Sequence, residues 1–327
     1  MSGGFRAVPP QVCGLALGCN GLSGLLTHWV RLGAVYLEPM PLVFALAALG
    51  LALSYGAKLL AAPGAVWQDL SSPPTLSAVA ALPATVQALA VRFRALTPPV
   101  VTHGAIITCW TSSLCVAVRF LWLNYKKGSW PDPSWFPAIF LAGMTNVTTP
   151  VAGPDFLKGF MPTQFVAILS VYVPLLSVVT YRILLSKARD SVAPNAGMAL
   201  LMAPSSFFSF AHSSSGKPFG EGVGMVLFTL STLFFFLTVR MLYIRRDLWA
   251  RAFHISYVAF SFPLASTATA ALLASERLPL VAGPMSRAWA AILGVVTFVV
   301  ISSVLLRVVG LLFIAVRGQP EAGKKSE

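Results

Sequence analysis

The chain has few charged residues, and acidic ones are the scarcest. Of 327 residues, 10% are charged and only 10 are Asp or Glu, whereas 57% are hydrophobic and the mean hydropathy is +0.78. Soluble globular domains carry about 25% charged residues. The composition therefore excludes a water-soluble globular protein and predicts a protein that lies in the membrane.

Ten stretches of the chain contain no Lys, Arg, Asp or Glu. Each has 18 to 26 residues, and they cover 7–30, 39–57, 70–91, 95–118, 133–154, 159–181, 191–216, 222–239, 252–275 and 288–306. About 20 helical residues cross the hydrocarbon core of a bilayer, and these stretches lack the alternation of barrel strands. The sequence predicts an all-α integral membrane protein of ten transmembrane helices, here called spans 1 to 10, forming a single membrane domain over 1–327.

The absence of acidic residues from the spans limits the chemistry that the chain can perform. No span offers a carboxylate for a buried proton relay. The acidic clusters, His-x-x-x-His pairs and Gly-x-Ser-x-Gly runs of membrane enzymes are also missing. We therefore expect no enzyme, no metal site and no cofactor. His212, beside the serines that end span 7, either tunes protonation in the protein's interior or, as we expect, is a solvated histidine at the membrane interface.

The basic residues predict the orientation and favour an anionic permeant. Fourteen Lys and Arg residues fall on the side of the even-numbered loops and the termini, and seven fall on the other side. The positive-inside rule then places both termini in the cytoplasm of a multi-pass protein of the plasma or inner membrane. After acids are subtracted both sides stay positive, at +8 and +3. This charge suits anions, although lipid contact also accounts for the inner excess, and short basic runs exclude nucleic acid.

Because the spans are defined by the absence of charge, every Lys and Arg falls outside them. Lys58 and Asp69 are assigned to the connection between spans 2 and 3, and Arg92 to the loop after span 3. We therefore expect no buried Arg or Lys in a transport path, and an anion would bind there only weakly.

Prolines recur in the odd-numbered spans at a nearly constant interval. Pro83, Pro150, Pro204 and Pro263 are 67, 54 and 59 residues apart, and span 1 has glycines instead of a proline, with Gly18 lying 65 residues before Pro83. A hairpin of one broken and one smooth helix, repeated five times at about 60 residues, accounts for the chain. The sequence thus predicts five helical hairpins.

The odd spans also carry polar residues at depth, whereas the even spans include long apolar runs. Broken backbone is tolerated in a membrane only where protein or water surrounds it, so we expect odd helices inside, even helices outside and a quasi-fivefold pore. The alternative is that the prolines only kink packed helices. The predicted pore-lining residues are Gly14, Gly18, Gly21, Pro83, Thr145, Pro150, Pro204, Ser205, Pro263 and Ser266.

Three segments resemble the tellurite-resistance/dicarboxylate transporter family, which includes bacterial TehA, fungal malate and sulfite transporters and plant slow-type anion channels. They are Gly14-Leu-Ala-Leu-Gly18-Cys-Asn-Gly21, Ala203-Pro-Ser-Ser206 and Tyr257-Val-Ala-Phe-Ser-Phe-Pro-Leu264. The chain departs from the family pattern at Ser72-Pro-Pro-Thr75, which replaces a His-Pro-x-Arg-like sequence, and at Tyr257, which replaces a Trp. The resemblance implies a homotrimer of independent pores, each blocked midway by a phenylalanine of span 9, which is Phe262 here.

The residues around Phe262 agree with a gate. The ring directly precedes Pro263, and a bulky apolar ring in a narrow lumen closes it by occlusion or dewetting. Phe262 is also one of 22 phenylalanines, so simple packing is the alternative, and Phe260 is the competing candidate for the gate.

We predict an anion-permeable membrane channel or channel-like transporter for small anions or small carboxylates, with the lipid bilayer as its other partner. A proton- or gradient-driven exporter of dicarboxylate, sulfite or tellurite is the alternative.

Overall fold

The structure is a computed structural model that describes residues 6–127, scattered positions within 159–177, and residues 202–214, 219–244, 255–279 and 281–317. The described residues form helices and connecting turns, with no strand among them. In chain order the helices are α1 Val12–Arg31, α2 Pro39–Ala61, α3 Pro63–Asp69, α4 Pro73–Val79, α5 Ala81–Arg92, α6 Pro99–Lys127, α7 Met202–Ser214, α8 Gly220–Ile244, α9 Ser261–Arg277 and α10 Pro284–Arg317. Two short 3₁₀ segments, Val35–Leu37 and Ile255–Phe260, precede α2 and α9.

Six helical stretches in the described part of the chain are long and apolar enough to cross a membrane. They are Val35–Ala61, Thr75–Arg92, Pro99–Leu123, Gly220–Arg240, Tyr257–Arg277 and Pro284–Ile314. These coincide with predicted spans 2, 3, 4, 8, 9 and 10, and span 1 forms α1. The chain is thus a multi-pass all-α membrane protein. Span 5, most of span 6 and the first part of span 7 lie outside the described residues, so the number ten stays a prediction.

Burial separates the odd-numbered spans from the even-numbered ones. In the apolar core of each stretch, 94% of Tyr257–Arg277 and 56% of Thr75–Arg92 are buried, against 33%, 22%, 33% and 33% in the stretches of α2, α6, α8 and α10. In α1, 12 of 20 residues are buried. Among the described helices, therefore, the odd spans lie inside and the even spans face outward, as the sequence predicts.

Two of the inner spans are broken just before their proline. Span 3 ends one helix at Val79 and begins α5 at Ala81, and span 9 changes from a 3₁₀ segment to α9 at Ser261. Pro83 and Pro263 are each the third residue of the new helix, where a proline removes no intrahelical hydrogen bond. The predicted helix breaks are therefore present at both positions.

The helices pack as neighbours along the chain and across the interior. Consecutive helices pair as α1–α2, α5–α6, α7–α8 and α9–α10, and the inner helices contact one another in the order α5–α1–α9–α7. Within the first pair, the Ser23 hydroxyl donates a hydrogen bond to the Pro41 carbonyl. Each pair consists of one inner and one outer helix.

Small residues bring α1 and α9 into close contact. A Cβ added to Gly14 would lie 3.4 Å from Val258, one on Gly18 2.5 Å from Ser261, and one on Gly21 2.9 Å from Ala265. The two helices run parallel, because both members of the contacting pairs advance along the chain together. Small residues at helix contacts let backbones approach closely in membranes, so the predicted glycine motif is first of all a packing surface.

Hydroxyl groups connect α7 to its neighbours. Ser206 Oγ lies 2.7 Å from both Ser231 Oγ of α8 and Thr267 Oγ1 of α9, and Arg277 Nη1 donates to the Ser213 carbonyl at 2.6 Å. The α7–α9 pairs are 61 and 64 residues apart in sequence. That separation matches the predicted repeat of about 60 residues, so neighbouring inner helices meet at equivalent levels.

Lys58 and Asp69, assigned from the sequence to the connection between spans 2 and 3, form a largely buried ion pair. Lys58 Nζ lies 2.7 Å from Asp69 Oδ2 and also donates to the Val8 carbonyl at 2.8 Å, while the Tyr55 hydroxyl lies 2.8 Å from Asp69 Oδ2. The reason is α3, a short helix that places Asp69 beside the last turns of α2. Burying a charge requires such a partner.

The glycine contact predicts a position-specific response to the smallest substitution. In Gly18→Ala the new methyl group lies 2.5 Å from Ser261 Cβ and 2.9 Å from its backbone carbon, so α1 and α9 must separate. Overpacking of this kind costs about 1–3 kcal/mol. We expect a lower melting temperature of the protein purified in detergent. Gly50→Ala is the matched control, because no atom lies within 4 Å of its added Cβ; equal melting temperatures for both variants and the parent would contradict the packing.

Candidate functional site

A cavity of about 250 Å³ lies among the inner helices. Two of these helices supply its longer walls. The α1 residues in the wall are Leu17, Asn20, Gly21, Gly24 and His28, and the α5 residues are Ala84, Gln87, Ala88, Val91 and Arg92. The lining residues in each helix recur every three to four positions, as one face of a helix does.

The other two inner helices complete the lining. Phe207 and Phe210 come from α7, and Phe262, Ala265, Ser266 and Thr269 come from α9. All of these residues belong to odd-numbered spans. The even-numbered helices contribute nothing to the wall in the part of the chain that the structure describes.

Three phenylalanines lie close together in the wall of the cavity. The ring centroids of Phe262 and Phe207 are 5.7 Å apart, and those of Phe207 and Phe210 are 5.8 Å apart. Phe262 is 6% exposed, and its position is set by the start of α9 directly before it. The rings of Phe262 and Phe207 contact each other across the α7–α9 boundary and present an apolar surface to the cavity.

Polar side chains of the wall donate to backbone carbonyls, Ser266 and Thr269 within α9 and Gln87 to the neighbouring helix α6. Ser266 donates to the Pro263 carbonyl at 2.9 Å, Thr269 to the Ala265 carbonyl at 2.8 Å, and Gln87 to the Ile106 carbonyl at 3.3 Å. Asn20 is 8% exposed, and its Oδ1 atom has no hydrogen-bond partner among the described residues. The amide oxygen of Asn20 is therefore a polar atom of the cavity wall that can accept a hydrogen bond from water or solute.

Arg92 lies in the cavity wall rather than in a loop, which corrects the expectation that no basic residue lines the path. It ends α5, and its Nη1 donates to Thr27 Oγ1 of α1 at 3.1 Å. His28 lines the same cavity, and no Asp or Glu is among the described lining residues. One end of the cavity is thus basic, because α5 continues one residue beyond the charge-free stretch that predicted span 3.

The predicted pore-lining residues divide into three groups. Phe262, Gly21 and Ser266 line the cavity. Thr145 and Pro150 lie outside the described residues. The remaining predicted residues are absent from this wall and lie instead at the α1–α9 contact or within the packed inner helices: Gly14, Gly18, Pro83, Pro204, Ser205 and Pro263.

His212 is buried, whereas the sequence predicted a solvated histidine at the membrane interface. It has no exposed surface, and its ring lies 6.3 Å from the ring centroids of both Phe165 and Phe219. Gly224 of α8 leaves room for it, since a Cβ there would lie 3.2 Å from His212 Nδ1. The histidine is part of the packing between α7 and α8.

Among the lining residues that sequence reasoning missed, four matter most for the site: Phe207, Phe210, Arg92 and His28. Phe207 and Phe210 stand one helical turn apart in a Ser- and Phe-rich run, but nothing local distinguishes them among 22 phenylalanines. Arg92 was assigned to the loop after span 3, and His28 carries no local signal for the site.

The fold and the cavity together are those expected of a membrane transport protein, with an internal cavity among inner helices and a surrounding layer of smooth ones. The chain matches the family SLAC1, voltage-dependent anion channel, over residues 7–309. The chain therefore belongs to this family of channels and transporters, and the resemblance noted in its sequence is confirmed. No curated protein is significantly similar to it.

The cavity predicts where a water-soluble reagent reaches the interior. A cysteine must ionise to react, so Ala88→Cys in the cavity wall should be modified by a charged thiol reagent faster than the parent, whose native cysteines set the baseline. Leu46→Cys is the control, because Leu46 is exposed on the outer helix α2, where lipid keeps the thiol protonated. Equal modification of the two variants, measured by mass spectrometry, would show that the cavity is not the aqueous path.

Proposed function

We propose that the chain is an anion-permeable pore whose path runs through the central cavity and is closed by Phe262 together with Phe207. The single observation that carries the proposal is the contact of these rings, 5.7 Å between centroids, in the wall of a cavity lined by inner helices. An apolar constriction excludes water and hydrated ions. Opening then requires the rings to move apart or to be removed.

The charge of the cavity supports an anion as the permeant. Arg92 and His28 stand at one end, and acidic residues are absent from the described part of the wall. A basic region raises the local concentration of anions and repels cations. Because no carboxylate is available there to carry a proton, passive permeation is favoured over proton-coupled export.

The remaining architecture is proposed from the same repeat. The order α5–α1–α9–α7 leaves one gap in a fivefold ring, between α5 and α7, and span 5 is the odd-numbered span outside the described residues. We further propose a homotrimer of separate pores in the plasma or inner membrane, with both termini cytoplasmic. The family membership and the positive-inside distribution of charge support these assignments.

Removing the gate ring tests the proposal directly. In Phe262→Ala we expect a severalfold larger anion conductance of the purified protein in planar bilayers, because loss of the ring widens and wets the constriction. The current should persist without a pH gradient. Phe207→Ala should raise the conductance as well, since its ring contacts that of Phe262.

Phe260→Ala is the matched control for this experiment. Phe260 lies two residues away and lines a separate cavity of about 610 Å³ between α8, α9 and α10, so its removal should leave the conductance at the parent's level. A folded Phe262→Ala variant with unchanged conductance would refute the gate. Flux that appears only with an imposed proton gradient would replace the passive pore with a coupled carrier.

A further inference from the structure

Arg92 is a partly buried cation that has no counterion among the residues that the structure describes. The Nη1 atom of Arg92 donates a hydrogen bond to Thr27, whereas its Nε atom is buried and has no hydrogen-bond partner among the described residues. Among the described residues, no carboxylate lies within 4.0 Å of Arg92. The ion pair found in the described part of the chain is Lys58–Asp69. A guanidinium removed from water is costly unless an opposite charge accompanies it. Within the described part of the chain the opposite charge is missing, and a bound anion would supply it.

The hydrogen bond to Thr27 orients the guanidinium. Thr27 Oγ1 donates to the Ser23 carbonyl at 2.8 Å, so its oxygen is free to accept from Arg92 Nη1. The opposite edge of the planar group carries Nε and Nη2 side by side. Nη2 lies over Gly24, where a Cβ would be 3.5 Å away, so no side chain from that position covers this edge.

The surroundings of Arg92 are net positive. Arg31 acts on Arg92 electrostatically, and His28 interacts with Arg31, Arg92, Arg277 and Glu276. Glu276 and both of the other arginines are exposed. One acidic and three guanidinium groups therefore surround the imidazole, and the balance attracts an anion to this end of the cavity.

The depth of this site separates it from the constriction. Gly18 contacts Ser261, the residue before Phe262, while Arg92 contacts Thr27 and Gly24 farther along α1. Six to nine helical residues separate these levels, which is on the order of 10 Å along the axis. An anion bound at Arg92 therefore lies in the cavity at a different level along α1 from the phenylalanine rings.

We infer that Arg92, oriented by Thr27 and flanked by His28, is a binding site for a small oxyanion with two adjacent oxygens, such as a carboxylate, nitrate or sulfite group. The Nε–Nη2 edge donates two parallel hydrogen bonds, which matches such a group better than it matches chloride. The inference deepens the proposed function and rests on it for its biological meaning. The binding itself is independent of flux.

The test measures formate binding to the purified full-length chain in detergent. Sodium formate replaces sodium chloride at constant ionic strength, and the melting temperature is followed as a function of formate. We expect a saturable rise for the parent and for Arg94→Gln, which removes an exposed arginine two residues away. In Arg92→Gln the half-saturating concentration should increase about tenfold or more, since hydrogen bonds to a charged group contribute about 1.5–3 kcal/mol.

Arg92→Lys separates charge from geometry and serves also if Arg92→Gln fails to fold. Lysine keeps the charge but lacks the two-donor edge, so we expect binding weaker than in the parent. Parent-like formate binding in Arg92→Gln, or in Arg92→Lys, would overturn the site as described, as would the absence of a saturable effect in the parent.

The outcome is distinguishable from failure of the pore proposal. Formate binding that depends on Arg92, with no gain of current in Phe262→Ala, would refute the gate and leave the site in place. A larger current in Phe262→Ala without formate binding would refute the site and leave the gate in place.

Discussion

The architecture depends on one constraint of the bilayer: backbone that leaves regular helical hydrogen bonding must be enclosed by protein or water. Spans 3 and 9 break at Ala80 and at Ser261, each just before a proline, and theirs are the two most buried of the six apolar stretches. The smooth helices α2, α6, α8 and α10 face outward and are apolar enough to contact lipid. Both interrupted spans therefore lie inside, together with α1 and α7, and the cavity lies among these inner helices.

Small residues then determine how close the inner helices come. Gly14 and Gly18 let α1 lie directly on α9, and the same run continues to Gly21 and Gly24, which border the cavity. One face of α1 thus changes from a sealed contact to a cavity wall within two helical turns. The change begins at the level of Phe262, so the proposed constriction lies where helix contact gives way to open space.

Much of this arrangement could be predicted from sequence, because apolar length and interrupted helices are local properties. Gly21 and Ser266 were predicted on that basis and Phe262 from the family resemblance, and all three border the cavity. The failures share one cause: spans defined by the absence of charge place every charge outside them. Arg92 is held inside by a hydrogen bond to Thr27, which is 65 residues away in sequence. Lys58 is held inside by Asp69, which the short helix α3 places beside α2. Such partners, like Phe207 and Phe262, lie apart from each other in sequence and come into contact only in the folded protein.

In the proposed pore, Arg92 and the phenylalanine rings lie at different depths and have different tasks. Arg92 attracts anions, and the rings close the path. At a distance of about 10 Å and an effective dielectric constant of about 20, a unit charge attracts an anion in the constriction by only about 2 kcal/mol. Stripping water from an ion between apolar rings costs more than this. In the proposed pore, the basic end therefore enriches anions without forcing the path open, and closure is a property of the rings. Once the constriction is wetted, the dehydration cost falls while the attraction persists, so the charge that is ineffective in the closed path selects anions in the open one.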